Sequence, residues 1–334
     1  MSTGADASSV LSPDALEARL REILETRYHH RHPFNLRMHA GTLTRRELQV
    51  WASNRYYYQT RIPVKDGMIL AKSPDASFRR EWVQRIHDHD GDRPGEGGLE
   101  LWLGLAEAVG CERAEVESLA HVLPGVRRAC DAYVALVEES DLLTSVAASL
   151  TELYAGEIMK VRIEAFERHY AWVGPEGLRY FGTRTEIAPR DAHFGLGFVK
   201  QHAQSVEDQQ RAIRALERKC EILWGLLDAI ERACGIPALV RHARVRDDAD
   251  GPMVVLPERA VKLGGSASTI LALCDGERSG EEIAASVREA HAGPEDVGER
   301  IADDVHEFLA EMQRAGVLEF STQAERAARA EATQ

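Results

Sequence analysis

Nowhere in the 334 residues does an apolar run approach the roughly 20 residues a helix needs to cross a bilayer. The first ten residues, Met-Ser-Thr-Gly-Ala-Asp-Ala-Ser-Ser-Val, lack the basic and apolar regions of a signal peptide, so a cytoplasmic protein without membrane contact is expected. The five cysteines, Cys111, Cys130, Cys220, Cys234 and Cys274, are odd in number and far apart. That pattern speaks for reduced, mostly buried thiols and against a disulfide frame or a zinc site. No Glu has a His three residues later, the ligand signature of di-iron bundles. His87-Asp-His-Asp-Gly-Asp92 resembles a metal motif, but at about 100° per residue His87 and His89 would point about 200° apart on a helix. Its glycine also comes too early for a calcium loop, and no metal is expected. Gly91 to Gly98 has no preceding strand and no Gly-Lys-Ser/Thr ending, so it reads as a helix connection and not as a phosphate loop. Positive charge is lacking too: the net charge is -13, and residues 238 to 334 hold 11 Lys+Arg against 19 Asp+Glu, hence -8 of it. Such a tail domain repels phosphate backbones, which argues against a nucleic-acid partner.

What is present is helical periodicity. A hydrophobic content of 44% with 28% charged residues fits an ordinary globular protein, and the length suggests two domains. From Ser12 to about Cys234 the pattern is almost wholly helical: Ser12-Pro13-Asp14 starts a helix, Thr44-Arg-Arg-Glu47 is a capping box, and Ser205-Val-Glu-Asp208 opens the long last one. Gly/Pro breaks at His32-Pro33, Ser73-Pro74-Asp75, Gly91 to Gly98, Leu123-Pro-Gly125 and Gly174-Pro175 leave about seven bundle helices. After Gly235-Ile-Pro237 the character changes. Val240 to Val245 alternates, Asp247 to Gly251 reads as a turn, and Met253 to Leu256 and Ala260 to Leu263 are β-like. Helical patterns follow at Ser266 to Cys274, Ser279 to His291 and Asp296 to Ala315, then a closing strand at Gly316 to Phe320. The expected organisation is a bundle over 11–234, a linker and first strand region over 235–252, a winged-helix-like module over 253–320 and a disordered tail over 321–334. An exposed edge of the module's small sheet suits an added peptide strand.

The stretch Asn54-Arg-Tyr-Tyr-Tyr-Gln-Thr-Arg-Ile-Pro-Val-Lys-Asp66 carries the first functional signal. Arg55, Tyr58 and Gln59 fall at i, i+3, i+4 and continue the stripe of Leu48, Trp51 and Ile62. A stripe of that kind faces a core, where an unpaired charge costs several kcal/mol. For one arginine an internal pair with Asp or Glu is explanation enough. The oddity repeats, however: Arg85 and His89 sit four apart, Tyr180 and Arg184 sit four apart, and Lys219 interrupts the stripe of Leu216 and Leu223. A lysine stem can snorkel. Four segments with inward cations nevertheless point to a polyanionic small ligand at the centre.

These motifs carry a resemblance. Residues 11 to about 233 resemble the pyrroloquinoline quinone (PQQ) synthase family, PqqC, in Arg55-Tyr-Tyr-Tyr-Gln-Thr-Arg-Ile-Pro-Val-Lys65, Trp82-Val-Gln-Arg-Ile-His-Asp-His-Asp-Gly91, His121-Val-Leu-Pro-Gly-Val126 and Ser149-Leu-Thr-Glu-Leu153. Residues 238 to 320 resemble PqqD in Pro257-Glu-Arg-Ala-Val-Lys-Leu263 and Leu273-Cys-Asp-Gly-Glu-Arg278, which suggests a PqqC–PqqD fusion. The resemblance implies an all-α haem-oxygenase-like (TenA-like) helical bundle that binds no haem, usually as a homodimer, followed by a small α+β winged-helix-like domain. The implied reaction is the final ring closure and eight-electron oxidation of the polycarboxylated PQQ precursor, AHQQ, to PQQ, with O2 as co-substrate, H2O2 released and no metal or organic cofactor.

By motif position the resemblance implies His89 as general acid or base with a near-neutral pKa, and His29, with Tyr28 beside it, as a second proton-handling group. Tyr180 and Arg184 would close over the ligand and stabilise reduced oxygen species. Substrate carboxylates would pair with Arg55, Lys65, Arg85 and Lys219, while Tyr58, Gln59, Tyr133, Thr151 and Glu152 would line the pocket. One departure stands out: where the family has a histidine in the helix after Leu-Thr-Glu-Leu, this chain has Met159, which cannot donate a hydrogen bond. The PqqD-like part implies binding of the PqqA precursor peptide and its delivery to the radical SAM enzyme PqqE. Two other classes stay open at this point, a non-catalytic polycarboxylate or quinone binder with a regulatory domain, and a metal-dependent oxidase of the same fold.

Overall fold

The computed structural model describes residues 9–248, 251–290 and 295–322, and the chain divides between Ile230 and Glu231 into two compact units. Among its described residues the first unit contains helices and no strand. They are α1 (Pro13–Arg27), α2 (Pro33–His39), α3 (Arg45–Lys72), α4 (Ala76–Trp82), α5 (Gln84–Asp90), α6 (Gly97–Ala108), α7 (Arg113–Ser118), α8 (Pro124–Glu139), α9 (Leu142–Ala148), α10 (Glu152–His169), α11 (Gly174–Gly177), α12 (Arg179–His202) and α13 (Val206–Ala233). Seven of these have twelve residues or more, in line with the bundle helices expected, and α2 and α11 begin at the His32-Pro33 and Gly174-Pro175 breaks.

Local chemistry fixes the helix starts. Ser12 Oγ accepts from Ala15 N at 3.2 Å, Thr44 and Glu47 form a reciprocal capping box, and Ser205 and Asp208 exchange bonds of 3.1 and 3.2 Å at the head of α13. Trp51, Trp82 and Trp102 are all but fully buried. Trp102 donates to the Ala52 carbonyl at 2.9 Å and meets Trp51 edge-on at 5.3 Å and Tyr180 at 4.8 Å, which gives the site described below an aromatic floor. Pro63 lies inside α3 and cannot donate, so the Gln59 carbonyl one turn back has lost its helical partner.

The connection Gly91 to Gly98 folds onto the end of α5. Gly97 has φ +87°, and a Cβ there would lie 2.6 Å from the His89 carbonyl oxygen and 2.4 Å from Gly91 N. Only glycine lets this loop approach the helix that carries Arg85 and His89.

The second unit has β1 (Ile236–Leu239), β2 (Arg244–Asp248), β3 (Gly251–Leu256) and β4 (Arg259–Lys262), then α14 (Ala267–Leu273), α15 (Gly280–Ala290), α16 (Glu295–Arg314) and β5 (Leu318–Ser321). β2, β3 and β4 form an antiparallel sheet in that order, with Val254 opposite Val245 on one side and Val261 on the other. Val254, Leu271, Ile283, Val305, Leu309 and Val317 pack in its core. The segment 235–252, read as a linker and first strand region, holds β1, β2 and the start of β3. β1 pairs antiparallel with β5, Pro237 opposite Phe320. Its partner lies some eighty residues away, so nothing local marks it, and a proline is tolerated because the pair has only two strands. Val240 to Ala243 forms a turn closed by Ala243 N to Val240 O at 2.9 Å, so β2 begins later than the alternation suggested. The disordered-tail expectation falls, from residue 323 onward, outside the described residues.

Candidate active site

Each inward cation of the bundle is set by the helix that carries it. α3 delivers Arg55, Tyr58, Gln59, Lys65 and Asp66, α5 delivers Arg85 and His89, α10 Glu152 and Arg162, α12 Tyr180, Arg184 and Asp191, and α13 Lys219. Arg55 and Glu152 are half-buried, and the other residues expected at the site are buried.

Arg85 is the hub. Its guanidinium lies 3.4 Å from Asp66, 3.1 Å from Asp191 and 3.5 Å from Glu152. Asp66 also takes Lys65 Nζ at 2.5 Å and Trp82 Nε1 at 2.9 Å. Glu152 takes Arg184 at 2.5 Å, and Asp191 is further held by Arg190 at 2.7 Å, which reaches on to Asp88. Burial alone would raise the Glu152 carboxyl, but Arg184, Arg85 and Lys65 together outweigh it and hold the group at about 2. The same carboxylates keep Arg85 and Arg184 firmly protonated against the desolvation that opposes it.

A second set of cations has no such partners. Among the described residues no carboxylate lies within ion-pair distance of Arg55, Arg162 or Lys219, and Arg55 NH1 and Arg162 Nε are buried without a hydrogen-bond partner. Arg55 stacks 4.0 Å from the Tyr58 ring centroid, and Arg162 rests between Trp51 and Phe181 with one bond, 3.1 Å to Asn35 Oδ1. Lys219 Nζ donates to Tyr58 Oη at 2.9 Å and sits 3.2 Å from the Tyr133 ring centroid. The interior thus carries six cationic side chains, Arg55, Lys65, Arg85, Arg162, Arg184 and Lys219, against three carboxylates, Asp66, Glu152 and Asp191. An excess of that size in a buried space attracts an anion with several charges.

Proton chemistry is available beside it. His89 Nδ1 donates to the Arg85 carbonyl at 3.0 Å, which fixes the neutral tautomer and leaves the Nε2 lone pair free. The near-neutral pKa expected for His89 is corrected by its surroundings: burial, reinforced by the Arg184 charge, pushes it down to about 4. At neutral pH its ring is uncharged. His29 is held neutral by burial and by Arg55 and Arg162, its Nδ1 has no partner, and its ring lies 4.2 Å from that of Tyr28. Burial keeps the Tyr28, Tyr58, Tyr133 and Tyr180 phenols protonated, and Tyr180 Oη donates to Gln59 Oε1 at 2.9 Å. Ser149 Oγ accepts from Lys65 at 3.1 Å and lies 3.3 Å from Tyr133 Oη.

Residues 17–229 match the TENA/THI-4/PQQC family. The chain belongs to that family. Residues 253–318 match coenzyme PQQ synthesis protein D, PqqD. A pyrroloquinoline-quinone synthase of Gluconobacter oxydans is 47% identical over 225 residues, 67% of this chain and 94% of that protein. The bifunctional coenzyme PQQ synthesis protein C/D of Methylorubrum extorquens is 47% identical over 231 residues, 69% of this chain and 62% of that protein. A Shewanella denitrificans domain of unknown function with a heme oxygenase-like fold superposes with a TM-score of 0.54 at 13% identity, over 66% of this chain and 93% of its own. The fold is therefore the haem-oxygenase-like helical bundle of the TenA type, followed by a small domain of strands and helices.

The structure joins Lys65, Arg85, Glu152 and Arg184 in one network with Asp66, Asp191 and Ser149, which sequence reasoning passed over, as it did Arg162, which lies outside that network. Lys65 and Arg85, expected to meet substrate carboxylates, are engaged by internal carboxylates, whereas Arg55 and Lys219 are not. Arg162 was detectable by the criterion that singled out Arg55, because it interrupts the stripe of Ile158 and Phe166. Met159 is buried on α10, two turns from Glu152 on the same side. His87, by contrast, is exposed and bonds Asp92 at 2.8 Å, on the side away from His89. Among the described residues no three His, Cys, Asp or Glu are grouped to hold a metal ion, and no helix is long and apolar enough to cross a membrane. No disulfide links the described cysteines, and burial pushes the thiols of Cys111, Cys130, Cys220 and Cys274 up to about 12.

Proposed function

We propose that the cation-rich interior of the first unit is where this chain acts as a pyrroloquinoline-quinone synthase. The chain is an enzyme of PQQ biosynthesis fused to a PqqD domain, with dioxygen as the electron acceptor for ring closure and oxidation of the precursor. The observation that carries the site assignment is the excess of buried cations, three of them without a carboxylate partner, in a region shared with a neutral histidine base.

In this reading Arg55, Arg162 and Lys219 meet substrate carboxylates directly. Arg85 and Lys65 hold Asp66, Glu152 and Asp191 in place and lend the rest of their charge to the ligand. His89 takes a substrate proton at Nε2, since its Nδ1 proton is committed to the Arg85 carbonyl. The resulting imidazolium would be stabilised by the bound anion. His29 handles a second proton, with Tyr28 against it. Tyr180 and Arg184 face the oxygen chemistry, the phenol as a donor and the guanidinium as a fixed positive charge for a developing peroxide. Thr151 and Glu152 border the ligand where α10 begins. The reaction needs neither metal nor organic cofactor, the protein is a cytoplasmic homodimer, and its PqqD domain binds the PqqA peptide for delivery to PqqE by strand addition at a sheet edge.

Single-turnover spectroscopy of the metal-stripped full chain with the precursor in air tests this. Quinone absorbance together with hydrogen peroxide is the expected result. Tight binding without product would overturn the catalytic assignment in favour of sequestration.

A further inference from the structure

Lys219 has no exposed surface at all. Its ammonium position on α13 is satisfied by one phenol oxygen and two phenol faces, Tyr58 and Tyr133, and by nothing anionic within ion-pair range. The charged groups facing it across the interior are of its own sign: Arg55 and Lys65, both on α3. Glu152 on α10 is of opposite sign but is already engaged by Arg184 and Arg85, and the Cys130 thiol on α8 and the His29 imidazole are uncharged. Phenol contacts offset only part of what an ammonium loses on leaving water.

We propose that Lys219 is an uncharged amine in the ligand-free protein and takes up a proton from solvent when a polycarboxylate enters the site. The step is R–NH2 plus H+ giving R–NH3+, with no electron transferred. Burial, and then the Arg55 and Lys65 charges, push this amine well below the ordinary lysine range, in agreement with the geometry. The inference rests on reading the bundle interior as the substrate site. It makes Lys219 a specificity-determining group: a ligand that brings negative charge to it is bound together with a proton, and a neutral analogue is not. It also means that the resting site is less positive, and more stable, than its six cationic side chains suggest.

The chain has only six lysines, so their Cε signals can be resolved by 13C NMR of the full-length protein at pH 7.5. Without ligand, one lysine is expected at the neutral-amine shift. It should persist in Lys65→Arg, vanish in Lys219→Met or Lys219→Arg, and move to the ammonium shift when PQQ is added. Calorimetry in buffers of different ionisation enthalpy should then show about one more proton taken up per PQQ bound by the wild type than by Lys219→Met. Six ammonium signals without PQQ, or a neutral lysine that stays neutral with PQQ bound, would overturn the inference using the unmodified protein alone. Absence of PQQ binding would instead remove the substrate-site reading, while the ligand-free spectrum still decides the state of Lys219.

Discussion

Arg85→Met removes the one guanidinium that reaches two buried carboxylates and the half-buried Glu152, and leaves an apolar side chain of similar length. Each carboxylate keeps another cation, Lys65 for Asp66, Arg184 for Glu152 and Arg190 for Asp191, so none is stranded outright. All three nevertheless lose attraction at a position where Arg85 is only 4% exposed. Removing one partner of a buried ion pair costs about 3–5 kcal/mol, and the remaining cations put this case at the lower end, about 3 kcal/mol. At about 2–4 °C per kcal/mol for a unit of this size, the melting temperature should fall by roughly 6–12 °C. Circular dichroism or calorimetry of the full chain at pH 7.5 measures it. Asp66→Asn provides the control: it leaves Lys65 and Arg85 short of an anion but keeps an acceptor for Trp82 Nε1. The double variant loses a cation and an anion together, and should be less destabilised than the sum of the single changes by about 1 kcal/mol or more. A fall under about 2 °C for Arg85→Met, or strict additivity in the double variant, would refute the hub.

His89→Ala should still bind PQQ, as followed by its absorbance, while turnover falls by about two to four orders of magnitude through loss of the Nε2 base; normal turnover would take the proton chemistry away from His89. Met159→His should leave turnover within about tenfold of wild type, because His89, Tyr180 and Arg184 remain, and a gain of several orders would show that methionine limits oxygen handling. Glu152, held at about 2 against an ordinary 4.5, contributes stability that is fully present above pH 4.5 and is lost as the pH falls from 4.5 towards 2. About 2 kcal/mol of it should be gone by pH 3, and urea midpoints between pH 6 and pH 3 should fall less steeply in Glu152→Gln than in wild type. Parallel pH profiles for the two proteins would show that the ion pairs do not hold this carboxylate.

How much of this could be read from the chain depends on the distance over which each determinant acts. The capping residues Ser12, Thr44 and Ser205 act within three residues, and the starts of α1, α3 and α13 were legible from them. Periodicity likewise told which way Arg55, Arg85, Arg184 and Lys219 would face. It could not supply their partners, because Asp66 and Asp191 reach Arg85 across helix packing that no local pattern encodes. β1 escaped for the same reason, its strand partner being β5. The depressed pKa of His89 needs both the depth of burial and the placement of Arg184, and neither is a property of the residue's own neighbourhood in sequence.

Two explanations of an inward arginine compete on sequence alone, an internal ion pair and a bound anion, and the structure shows the first for some of the inward cations and not for the others. Arg85, Arg184 and Lys65 have carboxylates, while Arg55, Arg162 and Lys219 have aromatic faces and amide or hydroxyl oxygens. The division has a physical consequence for any ligand. The paired set has its carboxylate counter-charges within the protein, although Arg85 Nε and Asp66 Oδ2 lack a hydrogen bond, so in this reading it fixes geometry. The unpaired set is one that an entering anion would improve, so on the proposed function it would supply the gain on binding. A protein with only the first set would be a stable bundle with no reason to admit an anion, and one with only the second would have to fold around uncompensated charge. With both sets carried by α3, α5, α10, α12 and α13, the proposed site divides its labour: the carboxylates would hold it together and the remaining cations would select what enters it.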